Sequence, residues 1–206
     1  MRQAEIYGHR SLNSNPCSRI RRYPCPGRER FLTPEEFHRL GKVLDAHESD
    51  AQFPVSIIRL LILTGCRQSE IRTLRWSEYR VGHLFLRDSK TGPRTVWLSS
   101  AALSILDKLP RKSVWIFPSD RKDVPLSVET LYRLWRVVRE DSGIPEVRLH
   151  DLRHSYASFA LRRGETLLTI GRLLGHRDPT TTLKYTHFAD TMERNAVETI
   201  GNALSN

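Results

Sequence analysis

The stretch LHDLRHSYASFALRRG, residues 149–164, carries the pattern that decides the fold of this chain. Its apolar residues recur at intervals of four and three, at Leu152, Tyr156 and Phe159. This spacing predicts an amphipathic helix that is closed by Gly164. His150 and Arg153 then lie one turn apart at the start of the helix, so an imidazole and a guanidinium stand side by side there.

A second stretch, LLGHRDPTTTLKYTH at residues 173–187, places one polar tyrosine beyond a loop that contains proline. Gly175 is predicted to end a helix over TLLTIGRLLG, and Asp178 is a candidate N-cap for the segment that holds Tyr185. A phenol has an unperturbed pKa of about 10, so it is a weak nucleophile at neutral pH. To act as a nucleophile, the phenol needs a proton acceptor or a strongly cationic pocket. The role of Tyr185 therefore depends on which residues gather around it.

Most of the remaining chain predicts helices. Thr33, Pro34 and Glu36 form a capping box that begins a helix over about 34–47. FPVSIIRLLILTG predicts a mostly buried helix closed by Gly65, and QSEIRTLRW predicts a short helix directly after it. Helical spacing also continues through residues 100–109, 128–141 and about 189–204.

One segment has a different period. VGHLFLRDSKTGPRTVWLS, residues 81–99, alternates apolar and polar residues on both sides of a turn with Gly92 and Pro93. This pattern predicts a two-stranded hairpin with Lys90 at its tip. The predicted fold class is therefore mainly α with a small antiparallel β-hairpin or sheet.

Charge indicates the kind of partner. The formal net charge is +10 and the pI is about 10.0, which favours a polyanion, and nucleic acid first. Residues 1–30 contain seven arginines against two glutamates and show no sustained apolar period, which predicts a basic arm or linker. A solvated tail is the alternative interpretation of that segment. The apolar runs are too short to cross a bilayer and no secretory signal is recognisable, so we expect a cytoplasmic protein.

Three cysteines, Cys17, Cys25 and Cys66, are odd in number and form no CxxC pair. This argues against a disulfide framework and against a structural zinc site. A metal held by His9 with Cys17 and Cys25 is the weaker alternative to three reduced thiols.

Four segments, in chain order, resemble the four signature boxes of the tyrosine recombinases, also called the phage integrase family. They are TGCRQSEIRTLRW, SKTGPRTVWLS, LHDLRHSYASFAL and LLGHRDPTTTLKYTH. The resemblance runs from about Arg30 to the C-terminus and implies the catalytic-domain fold of that family. It implies a catalytic set of Arg67, Lys90, His150, Arg153, His176 and the nucleophile Tyr185. It also implies supporting roles for Glu70 and Asp151, with no metal and no cofactor. His154 and His187 match no family position, and we expect them to be structural or surface residues.

The implied set suits phosphoryl transfer. Arg67 and Arg153 would bind the phosphate oxygens with charge-assisted hydrogen bonds, and guanidinium groups never lose their protons. The resemblance implies that Lys90 protonates the departing 5′ oxygen, while His150 is a candidate to accept the phenol proton. His176 would donate a hydrogen bond to a phosphate oxygen. The plainer alternative makes Arg67 and Arg153 ordinary ion-pair partners of Glu70 and Asp151.

The function implied by the resemblance is a site-specific DNA recombinase or integrase that forms a covalent 3′-phosphotyrosine intermediate. Its implied partners are double-stranded DNA and further copies of itself, as a tetramer on paired sites held by the C-terminal helix. We expect it in the cytoplasm, on the nucleoid. Two alternatives are a catalytically idle DNA-binding or regulatory fragment and a type IB topoisomerase-like enzyme.

The expected domain organisation follows from the family pattern, in which a separate helical domain usually precedes the catalytic one. Residues 31–206 are expected to form the catalytic domain, with its last helix at about 189–204. Residues 1–30 are expected to be the remnant of the connection to a missing N-terminal core-binding domain. The implied recombinase would therefore be a truncated form.

Overall fold

A computed structural model describes residues 2–18, 20, 23, 30–89, 92–121, 123–178, 180–183 and 185, and within this set it leaves out the side chains of Arg2 and Leu183. The described helices are α1 Arg2–Ile6, α2 Pro34–Ala46, α3 Gln52–Thr64, α4 Gln68–Arg72, α5 Ser100–Asp107, α6 Val128–Asp141, α7 Leu149–Arg162, α8 Leu167–Leu174 and α9 Thr180–Leu183. The strands are β1 Tyr79–Arg80, β2 His83–Leu86 and β3 Arg94–Trp97. The mainly α class with a small antiparallel sheet is confirmed.

Local capping chemistry explains where several helices begin and end. The Thr33 side chain accepts from the Glu36 amide while Glu36 reaches back to the Thr33 amide, so the predicted capping box is confirmed. Gly65 after α3 and Gly175 after α8 both adopt the left-handed conformation, with φ of 62° and 67°. The helix ends predicted from these glycines are therefore confirmed.

The sheet has one strand more than the predicted hairpin. β2 pairs with β3 in antiparallel register from His83 opposite Trp97 to Leu86 opposite Arg94, as predicted. In addition β1 pairs with the other edge of β2, so three strands lie in the order β1-β2-β3. β1 was missed because two residues are too few to show an alternating pattern.

The core forms around α3, which packs against α4, α5, α6 and α7. Its apolar residues Val55, Ile57, Ile58 and Leu60 are fully buried, as the continuous apolar sequence of this helix predicts. A smaller apolar cluster lies between α7 and α8. It contains Ala157, Leu161, Ile170, Leu174 and Tyr185. This second cluster encloses the ring of Tyr185.

Two segments relate to the domain predictions. The segment predicted as a basic arm or linker contains the short helix α1. The C-terminal helix predicted at about 189–204 lies outside the described residues, as do His187 and Cys25. Within the described ranges, no helix combines the length and apolar character that crossing a membrane requires.

Candidate functional site

Glu70 on α4 binds two arginines from different parts of the chain. The Arg67 side chain donates to Glu70 over 2.8 Å, and its backbone amide donates over 2.9 Å. Arg94, at the start of β3, donates to the second carboxylate oxygen over 2.9 Å. Burial raises the pKa of Glu70, but the Arg67 amide and the charge of Arg94 outweigh it, so the pKa is lowered. Glu70 is therefore an anion that orients two guanidinium groups.

Arg153 on α7 is a third arginine of this cluster, and only 4% of its surface is exposed. Its two terminal nitrogens donate to the carbonyls of Gly65 and Leu174, each over 2.7 Å. These carbonyls lie at the C-terminal ends of α3 and α8, where helix dipoles favour positive charge. Burial lowers the pKa of Arg153 to about 10, with Arg67 and Arg94 adding to the effect, so the group remains protonated at neutral pH.

The alternative in which Arg67 and Arg153 form ordinary ion pairs with Glu70 and Asp151 holds for one of the two arginines. Arg67 does pair with Glu70. Asp151, which is fully buried, pairs with Arg148 over 2.8 Å, and the Arg148 amide also donates to it over 2.8 Å. Asp151 thus caps the start of α7, while Arg153 is held by backbone carbonyls instead.

Two glycines allow the backbone to pass close to Arg94 and to α7. A Cβ on Gly175 would stand 2.5 Å from Cδ of Arg94, and one on Gly65 would stand 2.6 Å from Cδ1 of Tyr156. Both glycines also have a positive φ, which residues other than glycine rarely adopt. The chain can therefore pass this close to Arg94 and to α7 only with glycine at both positions.

Tyr185 is almost completely buried, with 1% of its surface exposed. Its ring packs in the apolar cluster between α7 and α8, and its hydroxyl lies 2.8 Å from Nδ1 of His154. The His154 ring in turn meets the His150 ring edge to face, with centroids 4.9 Å apart. His150 itself is exposed at the start of α7. The phenol is thus joined through His154 to the imidazole that the sequence singled out.

His176 follows Gly175 and is oriented by α9. Its Nδ1 lies 2.8 Å from the hydroxyl of Thr182, which is 3% exposed. Its backbone amide donates to the Gly171 carbonyl over 2.9 Å, which completes the end of α8. Both contacts fix the ring of His176 beside the segment that leads to Tyr185.

The structure brings most of the predicted site residues together through α7 and the end of α8. Leu174 connects the two groups, because its carbonyl accepts from Arg153 while its side chain packs in the cluster of Tyr185. Lys90 lies outside the described residues. The residues on both sides of this gap are described, and the Gly92 amide donates to the Ser89 carbonyl over 3.0 Å.

Two residues of this cluster were missed from the sequence. Arg94 stands inside the quoted segment SKTGPRTVWLS, and the alternation of β3 places it opposite Leu86, which is buried. An arginine on the inward face of a strand is a signal that could have found it. His154, expected to be structural or a surface residue, is half-buried and contacts the tyrosine hydroxyl. Its spacing of four from His150 is the corresponding signal.

Comparisons with known proteins show the family of the chain. The sequence pattern of the phage integrase family matches residues 30–192, and the chain belongs to that family. The tyrosine recombinase XerA of Saccharolobus solfataricus is 34% identical over 134 residues, which cover 64% of this chain and 44% of the relative. The chain thus spans less than half the length of that relative.

Solved structures show the same fold. The catalytic domain of bacteriophage HP1 integrase superposes with a TM-score of 0.64 at 27% identity, over 83% of this chain and 95% of that domain. A lambda integrase tetramer bound to a Holliday junction gives a TM-score of 0.61 at 24% identity, over 87% of this chain and 55% of that one. The second likeness concerns the fold alone. The fold is that of a tyrosine recombinase catalytic domain.

Proposed function

We propose that this chain is a site-specific DNA recombinase that cuts and rejoins strands through a covalent 3′-phosphotyrosine intermediate. The observation that carries the proposal is the link that Leu174 makes at the end of α8. Its carbonyl accepts from Arg153 of the arginine cluster, and its side chain packs in the apolar cluster that holds Tyr185. A phosphodiester under attack develops negative charge, and three guanidinium groups around Glu70 supply a preorganised positive field for it.

The proposed roles follow from position. The oxygen of Tyr185 attacks phosphorus, the bond from phosphorus to the 5′ oxygen breaks, and Tyr185 keeps the 3′ end. Arg67 and Arg153 bind the non-bridging oxygens of the phosphate, with Glu70 and Asp151 as supporting residues. Lys90 gives a proton to the leaving 5′ oxygen. His176 and the exposed His150 bind the phosphate. A 5′ hydroxyl then attacks the phosphotyrosine and reseals the strand, with arginine charge in place of a metal and with no cofactor.

Double-stranded DNA is the proposed partner. The net charge of +10 and the arginine-rich arm favour a polyanion, and the fold is shared with an integrase tetramer that was solved on a Holliday junction. Action on chromosomal DNA would place the protein in the cytoplasm, on the nucleoid. Residues 1–30 are proposed to be the linker segment that precedes a catalytic domain of residues 31–206.

An apolar groove supports the proposal of self-assembly. It has a volume of about 960 Å³ and lies between α2, α3, α5 and the outer face of α7. Its apolar walls include Phe37, Leu44, Ile62, Ile105 and Phe159. The segment at about 189–204 carries apolar residues at helical spacing, and an amphipathic helix is a common occupant of such a groove. We infer that the groove of one copy receives this segment from a neighbour, and that four copies assemble on paired DNA sites.

The decisive experiment uses nicked suicide duplexes with a randomised sequence around the nick and a radiolabel on the strand that stays attached. Wild-type protein is expected to give a labelled species of protein size on a denaturing gel, and Tyr185→Phe is expected to give none. A label that persists in Tyr185→Phe would refute the proposed nucleophile. Salt-dependent binding without any adduct would point to an idle DNA-binding fragment, and site-independent relaxation of a supercoiled plasmid by a monomer to a topoisomerase.

The assembly is tested by removing residues 190–206. The shortened chain should fold and bind DNA as a monomer, whereas the full chain should form larger species on DNA in light scattering. The same oligomeric state for both chains would count against exchange of the C-terminal segment.

A further inference from the structure

We propose that His154 accepts the phenol proton when Tyr185 attacks phosphorus. This inference rests on the proposed function, because it assigns a role within the same strand-cutting step. It replaces the sequence-based assignment of that role to His150, which then remains available to bind the phosphate. The inference goes beyond the family pattern, in which His154 matched no position.

The geometry of the described residues favours His154. Its Nδ1 lies 2.8 Å from the Tyr185 hydroxyl, a separation at which a proton moves directly between two heavy atoms. The ring of Tyr185 is held in place by apolar contacts with Ala157, Leu161 and Leu174. Since only 1% of the tyrosine is exposed, water competes little for its hydroxyl. The hydrogen bond between the Tyr185 hydroxyl and His154 is therefore already formed in the protein alone.

The chemistry requires one tautomer of His154. A neutral imidazole that carries its proton on Nε2 has a lone pair on Nδ1, and the Tyr185 hydroxyl donates to it. The ordinary pKa values of phenol and imidazole, about 10 and about 6.5, keep the proton on the tyrosine at rest. Once the oxygen begins to bond to phosphorus its basicity falls, and the proton passes to Nδ1.

The step balances without an added reactant. The bond from the Tyr185 oxygen to phosphorus forms, the phosphorus bond to the 5′ oxygen breaks, and the phenol proton rests on His154 while Lys90 protonates the leaving oxygen. In the resealing step the imidazolium returns its proton to the tyrosine oxygen, and Lys90 takes one from the attacking hydroxyl. The same two groups thus act as acid and base in turn.

Neighbouring charges suit a histidine that becomes cationic during the step. The titratable groups around His154 in the described part of the chain are His150 and Asp151 on its own helix, Arg153 beside it, and Tyr185 across from it. Burial raises the pKa of Asp151, but its hydrogen bonds with Arg148 outweigh burial and lower it. The charge of His154 acts in the same direction as Arg148, so the carboxylate and the imidazolium attract each other. The buried carboxylate of Asp151 therefore favours the imidazolium that the step creates, whereas the charge of Arg153 opposes it.

The test measures single-turnover formation of the covalent adduct on the nicked suicide duplex between pH 5 and pH 9. In the wild type, the rate should fall as the pH drops through the histidine range, because a protonated imidazole cannot accept a proton. His154→Asn keeps an acceptor oxygen near the position of Nδ1 but cannot take up a proton. It should lose about 100-fold or more in rate and lose the acidic limb of the profile, with unchanged DNA affinity.

Two matched variants complete the design. His38→Asn, at an exposed position on α2, should keep the wild-type rate and profile. His150→Asn should retain the acidic limb even if its rate is reduced. A wild-type rate and profile in His154→Asn, or an acidic limb that vanishes in His150→Asn alone, would overturn the inference and leave the proposed function standing. Absence of any adduct from the wild type would overturn both.

A second measurement does not depend on activity or on the folding of a variant at His154. Nitrogen NMR of the histidine rings reports which nitrogen carries the proton. In the wild type near pH 8, Nδ1 of His154 should be an unprotonated acceptor, and its resonance should move in Tyr185→Phe. A proton on Nδ1 that is donated to the phenol oxygen would refute the assignment.

Discussion

Replacement of Gly65 by alanine should destabilise the protein more than the same change at Gly143. Both glycines follow a helix and have nearly the same positive φ, 62° and 68°. They differ in their surroundings, because a Cβ at Gly65 would stand 2.6 Å from Tyr156 and 2.9 Å from Leu174, whereas nothing lies within 4 Å of one at Gly143. Comparing the two variants therefore separates the cost of the strained backbone from the cost of the clash with Tyr156 and Leu174.

The expected magnitudes follow from these two contributions. The left-handed conformation costs an L-residue about 1–2 kcal/mol, and this applies to both variants. Forcing an additional methyl group into a packed site costs about 1–3 kcal/mol more, and this applies only at Gly65. Gly65→Ala should therefore lose about 2–5 kcal/mol of unfolding free energy and Gly143→Ala about 1–2 kcal/mol.

Urea unfolding of both variants measures the difference, and the thermal midpoint should fall by about 2–4 °C for each kcal/mol. Gly65→Ala should also impair adduct formation, because the Gly65 carbonyl is one of the two acceptors that hold Arg153. Equal losses of free energy at the two positions would refute the argument that close approach to α7 is what demands glycine at Gly65.

Three further outcomes are expected. Glu70 has a lowered pKa in the folded protein, so its carboxylate stabilises the fold. This stabilisation is fully present above the unfolded pKa of about 4.3 and is lost as the pH falls through the folded pKa. The thermal midpoint of Glu70→Gln should therefore lie below that of the wild type at pH 7, and the two should converge only as the pH falls through the lowered pKa of the folded state. Arg94→Lys should reduce the adduct rate, because one ammonium cannot contact both Glu70 and the Leu173 carbonyl, whereas Arg80→Lys on the exposed β1 should not. Leu174→Ala should cost about 2–5 kcal/mol in urea unfolding, and a loss below about 1 kcal/mol would contradict its full burial.

The helices were predictable from the sequence because their signals are local. Thr33 and Glu36 satisfy each other across three residues, and Gly65 and Gly175 mark helix ends through the conformation of a single residue. The sheet was predictable only in part. The pairing of β1 with β2 depends on two residues, too few for an alternating pattern to emerge from the background.

The family pattern named candidate site residues, whereas contacts that depend on the tertiary structure could not be predicted from the sequence. Arg94 meets Glu70 across 24 positions of sequence, and His154 meets Tyr185 across 31. Local spacing can single out Arg94 and His154 but does not reveal their partners, since both contacts depend on how β3 and Tyr185 are placed against α4 and α7. Arg153 and His154 are neighbours on α7, yet Arg153 contacts the ends of α3 and α8 while His154 contacts the Tyr185 hydroxyl. This difference likewise becomes visible only in three dimensions.

The attachment of Arg153 to two helix ends limits how Tyr185 can move relative to α3 and α8. Its guanidinium fastens the last turn of α8 to the last turn of α3, and either helix would break a buried charged hydrogen bond by swinging away. Any displacement of Tyr185 toward a phosphate, in its own subunit or in a neighbour's, therefore pivots C-terminal to Leu174. Such a displacement would have to begin in the segment that follows α8, whose second residue is His176.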